Sequence, residues 1–227
     1  MPLQNIKGVI FDLDGTLYTL KHMKLRMALI LWSSIGFLRN LFAARAVARA
    51  QVFNNSNDLL YCVYTELAKN AKRSSGDAEK WYQNTFMPAF IKLLHEKAVI
   101  RSDVKSLLKE LKQKEIKLGI VSDFSHVKER VAAIGLDPEL FDILKASEEF
   151  GVLKPSPEPV LGVAHEWNIA SENIIMVGDR DDMDGECARR ANMGFVGITD
   201  KTSAKENFFM WKDALNIIRA ATDVEKI

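Results

Sequence analysis

Carboxylates are missing from one long stretch of this chain. No Asp or Glu occurs between Asp14 and Asp58, whereas Lys21, Lys24, Arg26, Arg39, Arg45 and Arg49 do. Residues 17–95 carry eleven Lys and Arg against four Asp and Glu, a net of +7, which leaves −6 for the rest of a chain whose total is +1. Such asymmetry marks residues 17–95 as a separate unit, turned either toward something anionic or toward solvent. Cysteine is scarce too. Cys62 and Cys187 have no paired spacing, which argues against a disulfide framework or thiolate metal site and fits a reducing compartment. Long apolar runs are lacking. The most apolar stretch, Met27–Leu38, spans 12 residues before Arg39, against the about 20 that a membrane-spanning helix needs. A hydrophobic strand with a candidate catalytic motif starts within the first dozen residues, so no signal peptide is expected. These features lead us to expect a soluble, cytoplasmic protein. With 227 residues, 48% apolar and 27% charged, it can bury a substantial core, as one medium domain or as a core plus a smaller insertion.

Gly8-Val9-Ile10-Phe11 is a continuous apolar run of the kind found in buried parallel strands, and Asp12-Leu13-Asp14-Gly15-Thr16 breaks it. Residues 21–96 read as helical throughout, in segments Met23–Ala50, Asp58–Lys69 and Asp77–Lys97, the last bent or broken near Pro88. The pattern then changes. Helices are expected over Ser102–Lys114, His126–Ile134, Pro157–Trp167, Asp184–Ala191 and Ser203–Ala220. Between them lie expected strands Ile116–Val121, Phe141–Lys145, Asn173–Val177 and Phe195–Ile198. This alternation predicts an α/β fold, a Rossmann-like parallel sheet with helices on both faces, carrying an inserted all-helical domain. The expected division is a core of residues 1–16 and 98–227 and a helical domain of residues 17–97.

Four segments carry candidate chemistry, and three of them end an expected strand, where open α/β sheets bind ligands. Asp12 and Asp14 stand at i and i+2 and so face one way in extended chain. Two carboxylates this close suit a nucleophile and a general acid/base with a divalent cation nearby, although the bare spacing also occurs in ordinary turns. Ser122 follows Val121 and offers a hydroxyl and an N–H to a phosphoryl oxygen. Lys154 lies in Leu153-Lys154-Pro155-Ser156-Pro157, where prolines fix its direction and its charge can offset a phosphorane-like transition state. Gly178-Asp179-Arg180-Asp181-Asp182-Met183-Asp184 holds four carboxylates in six residues. Asp179 is the best direct Mg²⁺ ligand there, Asp184 helps through a water or a hydrogen bond, and Asp181 and Asp182 read as solvent-facing.

Together these residues resemble the haloacid dehalogenase-like hydrolase superfamily, in its phosphatase branch with a helical cap inserted after the first motif. Val9 to Leu17 looks like the first motif; Ser122, Lys154, and Val177-Gly178-Asp179 with Asp184 look like the other three, in order. Ala188-Arg189-Arg190-Ala191-Asn192-Met193-Gly194 also looks typical. The resemblance implies that Asp12 is the nucleophile and forms an aspartyl-phosphate, while Asp14 protonates the leaving group and then activates water. It implies that Ser122 and Lys154 bind phosphate, with Thr16 and Asp123 beside them, and that Thr16 orients the second carboxylate. Asp12, the Asp14 carbonyl and Asp179 would hold Mg²⁺. The implied partner is a phosphorylated small molecule and not a nucleic acid; oligomeric state stays open. Two positions depart from the pattern: Asp123-Phe124 follows Ser122 where many relatives have Asn or Gly, and Gly185-Glu186-Cys187 follows Asp184 where an aliphatic residue is commoner. Asp14 disfavours the dehalogenase branch, because a halide leaving group needs no acid.

The alternatives are a phosphoryl mutase of the phosphoglucomutase type and a non-catalytic relative kept for binding. A membrane-surface lipid phosphatase is a further one, although substrate steering or a solvated face is preferred over membrane contact for the basic helix. The four histidines lack metal-ligand spacing, and Trp32, Trp81, Trp167 and Trp211 read as packing residues. Cap motion is expected, with hinges near residues 16–20 and 96–101.

Overall fold

The structure, a computed structural model, describes residues 3, 5–200 and 206–223. Strand β1 (Gly8–Phe11) comes first, and a short β2 (Tyr18–Thr19) leads into five helices: α1 (Met23–Ile30), α2 (Ile35–Arg49), α3 (Ser56–Ala71), α4 (Ser75–Trp81) and α5 (Met87–Lys97). The chain returns through β3 (Val99–Ile100) and then alternates. In order come α6 (Val104–Gln113), β4 (Lys117–Ser122), α7 (Val127–Ala133), β5 (Ile143–Ala146), α8 (Glu158–Trp167), β6 (Ile174–Gly178), α9 (Glu186–Arg190) and β7 (Gly194–Thr199). A last strand β8 (Phe208–Met210) runs directly into α10 (Trp211–Thr222).

Six strands form one sheet in the order β5-β4-β1-β6-β7-β8, every neighbouring pair parallel. The α/β architecture is therefore the expected one. Side-chain alternation along β1 sends Val9 and Phe11 to one layer and Ile10 to the other, where it meets Val121, Val163 and Met176. The first layer runs without a break into the apolar faces of α2, α3 and α5. Local signals explain the helix starts. Asn55 accepts the Asp58 N–H at 3.0 Å and caps α3, and Ser74 with Asp77 forms a capping box on α4. In α6, Val104, Leu107, Leu108 and Leu111 make the buried stripe of an amphipathic helix.

Four expectations need correction. The helix expected over Met23–Ala50 is two helical segments bent by 86° at Leu31, the second opening with a tight turn at Trp32–Ser34. Trp32 is 74% exposed at that elbow rather than packed. The helix expected from Ser203 starts at Trp211, because Phe208–Met210 pairs with Gly197–Thr199 as a sixth strand; Ser203, Ala204 and Lys205 lie outside the described residues. The helix expected from Asp184 starts at Glu186, after a wide turn over Asp181–Gly185. The break near Pro88 is a similar wide turn at Tyr82–Phe86, with Pro88 in the first turn of α5. The two crossings between sheet and helices, near the expected hinges, pair as an antiparallel ribbon, Tyr18 with Ile100 and Thr19 with Val99. Among the described residues no single helix is long and apolar enough to cross a membrane.

Candidate active site

The chain leaves β1 toward β4 on one side and leaves β6 toward β7 on the other. The crevice between β1 and β6 is thus the switch point of the sheet, where ligands bind in such folds. Asp12 follows β1 there and its N–H is anchored on the Val177 carbonyl at 2.8 Å. Its carboxylate is 9% exposed and capped at both oxygens: Thr16 Oγ1 donates to Oδ2 at 3.0 Å, Lys154 Nζ to Oδ1 at 2.6 Å. Lys154 is itself buried. Its three protons meet three acceptors, Asp12, Asp184 Oδ1 at 2.7 Å and the Val121 carbonyl at 3.2 Å.

One oxygen each of Asp12, Asp179 and Asp184 lies within 4.8 Å of the other two. Burial and mutual repulsion raise all three. Burial pushes Asp12 up to about 7 against the pull of Lys154, with Asp184 and Asp14 adding to the rise. Burial and Asp12 push Asp179 up to about 6, and burial raises Asp184. Burial opposes the Lys154 charge, but Asp12, Asp184 and Asp123 hold it well above the usual lysine range. Three crowded carboxylates with only oxygen donors suit a hard divalent cation, which relieves the repulsion. Two glycines permit the crowding. Gly15 has φ +89°, and a Cβ there would lie 2.5 Å from Asp179 Oδ2; a Cβ on Gly178 would lie 2.4 Å from the Asp184 side chain.

Asp14 faces elsewhere. Its Oδ1 accepts the Tyr18 hydroxyl at 2.5 Å, and its Oδ2 accepts from Arg130 and, at 3.5 Å, from Ser122. Arg130, on α7 and fully buried, also donates to Ser122 Oγ at 3.1 Å and the Phe124 carbonyl at 2.8 Å. Thr16 therefore orients the first carboxylate and Tyr18 the second, the reverse of what the resemblance implied for Thr16. Asp123 was expected beside the phosphate. It lines the same cavity as Asp12 and Lys154, and its carboxylate accepts the Lys154 N–H at 3.0 Å and Arg49 Nη2 at 3.0 Å. Burial opposes its charge, yet Lys154, Arg45 and Arg49 hold it below the usual carboxylate range.

Arg45 and Arg49, on one face of α2, point into the core. Arg45 binds Glu148 Oε1 at 2.5 Å and the Asp123 carbonyl at 2.5 Å, and Arg49 Nε binds the Lys154 carbonyl at 2.7 Å. Asp181 and Asp182 sit on the outer turn, paired with Arg189 and Arg180. A chamber of about 350 Å³ joins Asp12, Asp14, Lys154, Asp179 and Asp184 to Arg45 and Arg49.

A doubly wound sheet presenting one capped carboxylate, a buried lysine and an acidic trio at its switch point is the frame of a carboxylate-centred α/β enzyme. The chain belongs to the haloacid dehalogenase-like hydrolases, whose family model matches residues 6–192. Glyceraldehyde 3-phosphate phosphatase of Methanocaldococcus jannaschii is 28% identical over 211 residues, covering 85% of each chain. Phosphoglycolate phosphatase of Colwellia psychrerythraea is 25% identical over 201 residues, covering 88% of this chain and 87% of that one. The fold also matches a phosphatase of the same superfamily from Thermococcus onnurineus, with TM-score 0.60 and 20% identity over 98% of this chain and 100% of that one.

Proposed function

We propose that this hydrolase is a Mg²⁺-dependent phosphomonoesterase that works through an aspartyl-phosphate on Asp12. The observation that carries the reading is the setting of Asp12: buried at the switch point, capped by Thr16 and Lys154, and within reach of two further carboxylates. The phosphatase relatives support the same direction.

Asp12, Asp179 and Asp184 would hold Mg²⁺, which when bound neutralises charge on the phosphoryl oxygens. An Asp12 carboxylate oxygen attacks phosphorus as the ester oxygen departs. Asp14 gives that oxygen a proton, so the alcohol leaves neutral. Asp14, now a carboxylate, takes a proton from water, the water oxygen attacks phosphorus, and the acyl-phosphate bond breaks to release phosphate and restore Asp12. Lys154 and Ser122 stabilise the phosphoryl oxygens throughout. Asp14 lines the chamber with its oxygens held by Tyr18 and Arg130, so acid catalysis requires one of those bonds to give way to the leaving-group oxygen.

The test is phosphate release from a panel of phosphomonoesters with Mg²⁺, with EDTA, and with Asp12→Asn. The reading expects turnover abolished by EDTA and by the substitution. Turnover that survives Asp12→Asn overturns it.

A further inference from the structure

A second cavity, of about 290 Å³, adjoins the catalytic chamber. The two share Asp14, Met23, Phe42 and Phe124 as common walls. Their characters differ. The chamber holds the catalytic carboxylates, Lys154 and three arginines, whereas the second cavity is apolar and has only Asp14, Lys24 and Arg39 as charged lining residues. Helix α1 contributes Met27 and Ala28, and α2 contributes Ile35 and Leu38. Phe86 and Phe90 add aromatic wall beside Phe124, their rings 5.9 and 6.1 Å from its own. Phe124 is one of the two residues that depart from the family pattern after Ser122, and it lines both the polar and the apolar space.

We infer that the substrate is a phosphomonoester whose leaving group is an apolar chain, and that this cavity holds the chain. The inference rests on the phosphomonoesterase reading and deepens it. Phosphorus must sit against Asp12 and the ester oxygen must come within reach of Asp14, so the organic group emerges on the Asp14 side. The space beyond Asp14 is lined mainly by aliphatic and aromatic side chains, which a methylene chain contacts favourably. It offers the hydroxyl and carbonyl groups of a triose phosphate almost no partners, and burying those groups unpaired is unfavourable. Lys24 and Arg39 also line it, with the Lys24 ammonium 5.9 Å from the Phe42 ring centroid.

The test pairs binding with turnover. Calorimetric titration of the Mg²⁺-loaded protein with n-alkylphosphonates, methyl to decyl, reads the cavity without any reaction. Affinity is expected to rise about fourfold per added methylene until the cavity is full, with an increasingly negative heat-capacity change. Ala28→Phe and Ile35→Trp, which fill the cavity from its two helices, are expected to flatten that series. Hydrolysis of the matching alkyl phosphates is expected to show the same rise in kcat/KM and to exceed that of glyceraldehyde 3-phosphate and phosphoglycolate. An affinity independent of chain length, or a rise that both filled variants retain, overturns the inference. A chain-length series in binding with no hydrolysis of any ester overturns the phosphomonoesterase reading and leaves the apolar site standing.

Discussion

Replacing Lys154 by Met tests the charge arrangement at the site without requiring any substrate. Lys154 is 3% exposed and its ammonium lies 2.6 Å from Asp12 and 2.7 Å from Asp184, both buried. Removing one partner of a buried ion pair destabilises by about 3–5 kcal/mol, because the other charge is left uncompensated. Here one cation serves two carboxylates, so we expect about 5 kcal/mol at pH 8 in EDTA. At about 2–4 °C per kcal/mol for a chain of this size, the melting temperature falls by about 10–20 °C. The sign with pH follows from the carboxylates. Asp12 is already raised to about 7 with Lys154 in place, and losing the ammonium raises it further. A group with a raised folded pKa binds its proton in the folded state after the unfolded chain has lost it, so stability falls as pH rises from about 4 through the folded value. The deficit of the variant is therefore largest at pH 8 and shrinks toward pH 5. Mg²⁺ at pH 8 restores part of it. Urea unfolding followed by circular dichroism at the two pH values reads all three effects. A loss under about 1 kcal/mol at pH 8, or one that does not change with pH, refutes the reasoning.

Three further outcomes follow from the same geometry. Asp12→Asn lowers phosphate release at least about a thousandfold, as expected for loss of a nucleophile; it leaves Lys154 paired with Asp184, so urea unfolding is expected to show a folded protein of near-normal stability. Apparent Mg²⁺ affinity falls as pH drops from 8 to 6, on the order of tenfold, because Asp12 (about 7) and Asp179 (about 6) must shed protons to bind a cation; calorimetry in buffers of different ionisation enthalpy reads both the affinity and the protons released. Arg45→Met leaves Glu148 buried without its cation and is expected to destabilise by about 3 kcal/mol, while Arg45→Met with Glu148→Gln together lose less than the sum of the two singles, as a double-mutant cycle measures.

The sequence made the sheet and the line of chemical residues readable for a physical reason. Buried parallel strands are continuous apolar runs, and the polar residues that stop them fall where ligands bind, so Asp12, Ser122 and Asp179 announce themselves at strand ends. Arg130 did not. It lies eight residues after Ser122 on a helix that also carries Lys128 and Glu129, and only tertiary packing turns it inward against Asp14. Tyr18 was hidden likewise, because a hydroxyl four residues past Asp14 reaches back to it only once the chain turns at Gly15. The basic stretch was visible as charge, but charge alone does not tell a solvated arginine from Arg45, whose guanidinium is held on Glu148 and the Asp123 carbonyl. Strand β8 escaped notice because three residues are too few for a period to show, and its partner β7 supplies the pairing.

The shared ammonium of Lys154 also constrains how this lineage can change. Losing Asp184 first leaves one cation with one carboxylate, a pair that stays balanced. Losing Lys154 first leaves two buried anions side by side. Descendants that abandon catalysis are therefore expected to surrender one acid before the lysine, and a surviving lysine beside a single acid would be the fossil of that order.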